Sequence, residues 1–141
     1  MWLSDWYINY WKTEFNPMSH IIPPHGGTLC ELLVDIDQRD KIRKESLHFP
    51  SLTLNDRQLC DIEMLLNGSF SPLTGFLCKD DYESVVQDLH LSDGTLWPIP
   101  ITLDVDIEFG NEISTEDKIV LRDPEGVAIA VMTISDTWTP D

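Results

Sequence analysis

Apolar residues recur at Leu59, Ile62, Leu65 and Leu66, the three- and four-residue spacing that lines one face of a helix. Asn55 stands just ahead of this stripe as an N-cap, and Gln58 three residues on completes a capping-box variant. Asn67-Gly68 supplies a stop that tolerates the left-handed conformation, so the pattern predicts a helix from Asn55 to Leu66. A second helix is expected with Asp80 as cap, Glu83 at the reciprocal position, and Tyr82, Val85, Val86 and Leu89 as its buried face. A third, more weakly patterned, covers Asp37 to Ser46.

Beyond residue 96 the period changes from helical to two. Trp97, Ile99, Ile101, Leu103 and Val105 alternate with Pro98, Pro100, Thr102 and Asp104, which predicts a strand. Its two prolines cannot donate to a ladder and restrict its start to a sheet edge or an irregular lead-in. Lys118 to Arg122 and Val127 to Ile134 read as two further strands, joined by Asp123-Pro124-Glu125-Gly126. That tetrapeptide has the residues of a type I turn and predicts a β-hairpin. The acidic stretch from Asp104 to Asp117 is expected to be a solvated loop or hairpin, able to host a divalent cation only if its carboxylates converge. Helices early and strands late imply an α+β domain with a small, mostly antiparallel sheet and two or three helices.

The chain has 141 residues, 42% of them hydrophobic, enough for one domain with a real core. Its formal charge of −16 repels phosphates, nucleic acid and anionic membranes, so a nucleic-acid role is disfavoured. Four of the nine basic residues fall together at Arg39, Lys41, Arg43 and Lys44, which reads as a solvated helix face. No apolar run is long enough to span a bilayer, and no membrane partner is expected. Cys30, Cys60 and Cys78 are odd in number and show no C-x-x-C spacing, so reduced thiols in a cytoplasmic setting are expected. Cys60 lies within the helical pattern and reads as a small buried hydrophobe. Asn67-Gly68-Ser69 matches a glycosylation sequon, but no cleavable signal precedes it and it reads as accidental. Residues 1–17 hold three of the five tryptophans and read as an aromatic extension, with the domain proper from 18 to 141.

Candidate chemistry is sparse. No Walker loop, G-x-G-x-x-G, G-x-S-x-G or H-E-x-x-H motif occurs, and His20, His25, His48 and His90 are scattered. No catalytic residue, cofactor site or metal site is assigned. His25-Gly26-Gly27 reads as a turn whose glycines take unusual dihedrals. The connection Asn67 to Phe76, NGSFSPLTGF, is turn-rich yet carries Phe70, Leu73 and Phe76, which need burial.

The run SLTLNDRQLCDIEMLLNGSFSPLTGFL from Ser51 to Leu77 resembles a segment of ATP sulfurylase (sulfate adenylyltransferase) closely. Ile22-Pro23-Pro24-His25-Gly26-Gly27, the run from Asp93 to Asp104, and Leu121 to Gly126 are similar to the same family in the same order, so the resemblance covers Met18 to Asp141. It implies the family's N-terminal PUA-like domain, with the sheet as a pseudo-barrel. The family's chemistry, ATP and sulfate giving adenylyl sulfate and pyrophosphate with magnesium bound through the nucleotide, is implied to lie in a second domain. That domain carries Q-x-R-N and H-x-x-H elements, and this sequence has neither. Trp138 to Asp141 resembles the point where the family passes into the linker to that domain.

The resemblance thus implies a supporting, non-catalytic role with no cofactor in this chain. The expected partner is an ATP-sulfurylase catalytic domain or a full-length sulfurylase. Phe70, Ser71, Pro72, Leu73 and Phe76 are candidate interdomain contacts, a reading that rests on the family's two-domain layout. Ser69 in place of an expected glycine and Glu116-Asp117 in place of Gly-Asp are turn-level departures. The alternative is a stand-alone PUA-like interaction or binding module.

Overall fold

The computed structural model describes residues 22–139, so the aromatic extension 1–17 and its boundary at 18 lie outside the described residues. The elements run α1 (Ile36–Glu45), β1 (Ser51–Thr53), α2 (Asp56–Leu66), α3 (Lys79–Asp88), α4 (Ile107–Glu112), β2 (Lys118–Arg122) and β3 (Ala128–Thr133). Short 3₁₀ turns form at His25–Gly27 and Ser46–His48. The architecture is α+β, as the pattern predicts. One three-stranded sheet has the order β1-β2-β3. β1 runs parallel to β2, from Ser51↔Val120 to Thr53↔Arg122, and β2 runs antiparallel to β3, from Lys118↔Thr133 to Arg122↔Ala128. The sheet is therefore mixed, with the longer ladder antiparallel. Nothing in the pattern signals β1, because three residues are too few to show a period.

The expected capping box of α2 forms in full. Asn55 Oδ1 accepts from Gln58 N at 3.0 Å, and Gln58 Oε1 accepts from Asn55 N at 3.0 Å. Gln58 is buried, and its Nε2 donates to Asp104 O at 2.8 Å, so the cap also anchors the helix to the 102–104 segment. Ile62 and Leu65 enter the core while Cys60, which faces away from that stripe, is exposed. The expectation that Cys60 is buried is thereby corrected.

α3 departs from expectation at both ends. It starts at Lys79 with Cys78, not Asp80, in the N-cap position; Asp136 Oδ2 from the C-terminal segment accepts from Lys79 N at 3.0 Å. A tertiary partner has replaced the local cap. Val85 is buried and Tyr82 half-buried, whereas Val86 is exposed, and Leu89 is exposed where it turns left-handed at φ 58° and ends the helix.

The alternating segment from Trp97 to Val105 is not a strand; the isolated bridge His90↔Leu96 ends just before it, and none of its own residues joins a ladder among the described residues. The prolines explain this, since Pro98 and Pro100 leave two consecutive sites on one side without donors. Alternation survives only in part as packing: Trp97 and Ile101 are buried, Ile99 between them is exposed, and Ile101 O accepts from Leu77 N at 2.8 Å. The acidic stretch that follows is neither loop nor hairpin but α4 and a turn in which Asp117 Oδ2 accepts from Ser114 N at 2.8 Å.

The hairpin between β2 and β3 forms as expected. Gly126 N donates to Asp123 O at 3.0 Å, with Gly126 at φ 85°. Val127 N donates to Asp123 Oδ1 at 2.7 Å, and the register slips by one residue beside Arg122. Ile119 and Leu121 of β2 lie at the centre of the core with Leu54, Leu65 and Val85.

Candidate functional site

The connection Asn67 to Phe76 forms the best-built corner of the molecule. Ser71 is its pivot: buried, its hydroxyl donates to Gly68 O at 2.6 Å and accepts from Cys30 N at 2.9 Å. Leu32 N reaches Leu66 O at 3.0 Å, and Cys30 Sγ lies 3.4 Å from Pro72 O. The segment after His25–Gly27 is thereby strapped across the end of α2. Gly26 and Gly27 have φ of 71° and 82°, as expected for that turn, and a Cβ on Gly26 would stand 2.8 Å from Pro72 Cγ. Only glycine satisfies both the dihedral and the contact.

An aromatic cluster closes the corner. Trp97 stands edge-on to Phe70 with centroids 5.8 Å apart and lies 6.0 Å from the His25 ring. His25 Nε2 reaches Leu96 O at 2.6 Å, tying the glycine turn to the bend that delivers Trp97. Trp97 is buried, and its indole N–H has no hydrogen-bond partner among the described residues. Of the candidate contact residues, Ser71 and Leu73 are buried, while Phe70, Pro72 and Phe76 are half-buried. All five lie in one connection. The strap and Trp97 are additions that composition did not reveal; the paired glycines after His25 were the available signal.

Nothing in this corner forms a nucleophile–base pair. Among the described residues no three His, Cys, Asp or Glu side chains gather as metal ligands, so the acidic stretch does not converge. Asp104 is instead engaged by Arg57, whose guanidinium also reaches Asp61 at 2.8 Å. The basic residues of α1 are exposed, as a solvated face requires, and Lys41 lies 3.9 Å from Glu45. Among the described residues the one carboxyl clearly displaced from its usual range is Asp93, held low by the Thr95 backbone N–H and then by the Thr95 side chain. It shapes a turn rather than a reaction. No helix among the described residues is long and apolar enough to cross a membrane.

Two surface grooves flank the segment 73–78. One, of about 480 Å³, runs between that segment, the 102–113 region and the C-terminal residues up to Thr139. The other, of about 630 Å³, lies between Pro72 to Cys78, α2 and β3. Phe76 lines both.

Comparison with known proteins bears on this geometry. A family model described as a PUA-like domain matches residues 22–141. The chain is 49% identical over 122 residues to a sulfate adenylyltransferase of Eremothecium gossypii and 47% identical over 125 residues to one of Saccharomyces cerevisiae. A cyanobacterial sulfate adenylyltransferase, from Synechococcus, is 38% identical over 120 residues. These matches cover 84–86% of this chain but only 24% of each fungal relative and 30% of the cyanobacterial one. The chain therefore spans about a quarter of the length of these fungal relatives. Among solved structures, a hexameric APS kinase from Thiobacillus denitrificans superposes with a TM-score of 0.77 at 39% identity, covering 85% of this chain and 24% of that one. The chain belongs to the PUA-like domain family, in the form that resembles one domain of the sulfate adenylyltransferases.

Proposed function

We propose that this chain is the N-terminal, non-catalytic domain of a sulfate adenylyltransferase, and that it supports the domain in which ATP and sulfate become adenylyl sulfate and pyrophosphate. The observation that carries the reading is identity of nearly one half confined to a quarter of the relatives' length. It is supported by a corner built from serine, glycine and aromatic contacts, in which His25 and Cys30 bond to backbone and Ser71 and form no nucleophile–base pair. Adenylyl transfer needs cations and donors around the triphosphate, and no lysine or arginine stands in the corner. Magnesium would arrive with the nucleotide on the catalytic domain, so no cofactor is assigned to this chain. Sulfate assimilation in the cytoplasm, with the three thiols reduced, is the setting this reading implies.

Phe70, Ser71, Pro72, Leu73 and Phe76 are the proposed interdomain contact. Half-buried Phe70, Pro72 and Phe76 keep an apolar face available, while buried Ser71 and Leu73 hold the backbone beneath it. The partner is an ATP-sulfurylase catalytic domain, on the same polypeptide or a separate one.

Pyrophosphate release from ATP and sulfate with magnesium tests the reading. The chain alone is expected to be inactive, and a separately expressed sulfurylase catalytic domain is expected to gain activity when the chain is added. Turnover by the chain alone would overturn the assignment. Retention of mixed RNA on a filter at low salt would favour a binding module instead, against the charge of −16.

A further inference from the structure

Among the described residues the outer edge of β3 pairs with no strand. Consecutive residues Ala130, Val131, Met132 and Thr133 all line the 630 Å³ groove, although neighbouring side chains of a strand point to opposite faces. A groove that meets four residues in a row runs along the strand's edge. Its opposite wall is apolar, from Leu65, Leu66, Leu73 and Phe76.

The backbone along that edge is available. Ile134 N donates to Asp117 O at 2.8 Å, which fixes the alternation of the β2–β3 ladder. Met132 and Ala130 then face β2, and the N–H and C=O of Val131 and Thr133 face the groove. Among the described residues no strand pairs with this edge. Edge strands are ordinarily guarded by charges, proline or bulges. Val127 to Ile134 contains no charge and no proline, and the single register shift lies at the Ala128 end, away from Val131 and Thr133.

Charge selects the occupant. Asp81 and Asp93 line the groove, and no lysine or arginine does. A second copy would bring the same carboxylates and another −16 against them. We propose that the groove binds an extended segment of a partner polypeptide, with alternating apolar side chains and lysine or arginine at its ends, which adds to β3 as a fourth strand. The inference rests on the proposed function for the segment's source, the sulfurylase catalytic polypeptide; the edge itself stands on geometry.

The test titrates the 141-residue chain with a capped decapeptide of alternating valine and threonine carrying two lysines at each end, followed by calorimetry and amide hydrogen exchange. Binding that weakens with salt and slows exchange at Val131 and Thr133 is expected. A glutamate-ended peptide and one with a central proline are expected to bind roughly tenfold more weakly or not at all. Val131→Pro is expected to abolish binding while preserving the β2 ladder, because that N–H faces the groove; should it disrupt the fold, an N-methylated peptide removes the complementary bonds of the same ladder, those its own N–H groups donate to the Val131 and Thr133 carbonyls. No binding, equal binding of the proline peptide, or unchanged exchange at both amides would overturn the inference. So would concentration-dependent dimerisation that protects these amides without peptide. If the catalytic domain binds the chain and Val131→Pro leaves that affinity unchanged, the strand site fails and the proposed function stands. If the peptide binds and the catalytic domain does not, the reverse holds.

Discussion

The segments Asn55 to Phe76 and Trp97 to Asp117 feed the same core, yet one announces its structure and the other conceals it. In the first, the bonds that set the backbone close within a few residues, Asn55 with Gln58, Gly68 with Ser71 and Phe70 with Leu73, and the long-range bonds of Gln58 and Ser71 are added to a shape already formed. In the second, decisive partners lie far away along the chain, as when Ile101 O meets Leu77 N or Asp104 O meets Gln58 Nε2. Local closure makes structure legible. Where the partners are distant, the hydrophobic pattern still marks which residues are buried but not the backbone that buries them.

The comparison is broken hardest at the core both segments share. Leu65→Ala and Ile101→Ala remove buried side chains from the two segments in turn, and each is expected to cost about 3 kcal/mol in urea unfolding. Similar losses would mean that the irregular segment is as firmly packed as the helix. A loss at Ile101 below about 1 kcal/mol would make the second segment a loosely held cover instead.

Gly26→Ala probes the strap that joins them. A left-handed φ of 71° and a Cβ 2.8 Å from Pro72 act together, with an expected loss of about 2 kcal/mol. Near-ultraviolet circular dichroism reports the consequence for Trp97, which the same turn holds through His25.

Helix caps sharpen the contrast on a smaller scale. Asn55→Ala is expected to lower the thermal midpoint by an amount equivalent to about 1 kcal/mol, since it removes a formed capping box. Asp106→Ala at the start of α4 is expected to change stability by less than about 0.5 kcal/mol, because Asp106 makes no side-chain capping bond.

The same distinction explains what sequence reading could reach. α2, the β2–β3 turn and the glycine dihedrals at 26 and 27 were legible because each depends on residues inside its own window. The start of α3 was not, because Asp136, 57 residues from Lys79, supplies the cap. β1 was hidden by its length. At the candidate corner, Phe70, Leu73 and Phe76 could be identified as needing burial, whereas the Cys30–Ser71 bond that fixes them spans 41 residues. Trp97 reads in the sequence as one position of a strand, and its place in the corner was hidden because the two prolines turned that segment inward without one.

The smallest effect lies at Asp93, in the turn between the two segments. Hydrogen bonds from the Thr95 backbone and then its side chain favour the charged carboxylate and lower its pKa in the folded chain. The sign follows from proton binding. The unfolded chain takes up the proton first as pH falls, so the contribution is complete above the ordinary aspartate range and is lost as pH drops through the lower folded value. Asp93→Asn retains an acceptor oxygen without the charge, so its urea midpoint is expected to fall slightly below that of the parent near neutrality. The two curves should converge in acid. Because Asp93 is fully exposed, the gap should be small and should narrow with added salt. A gap that widens toward acid would mean the carboxylate is repelled by its acidic neighbours more than the Thr95 amide holds it, and the turn would then depend on neutralisation rather than on charge.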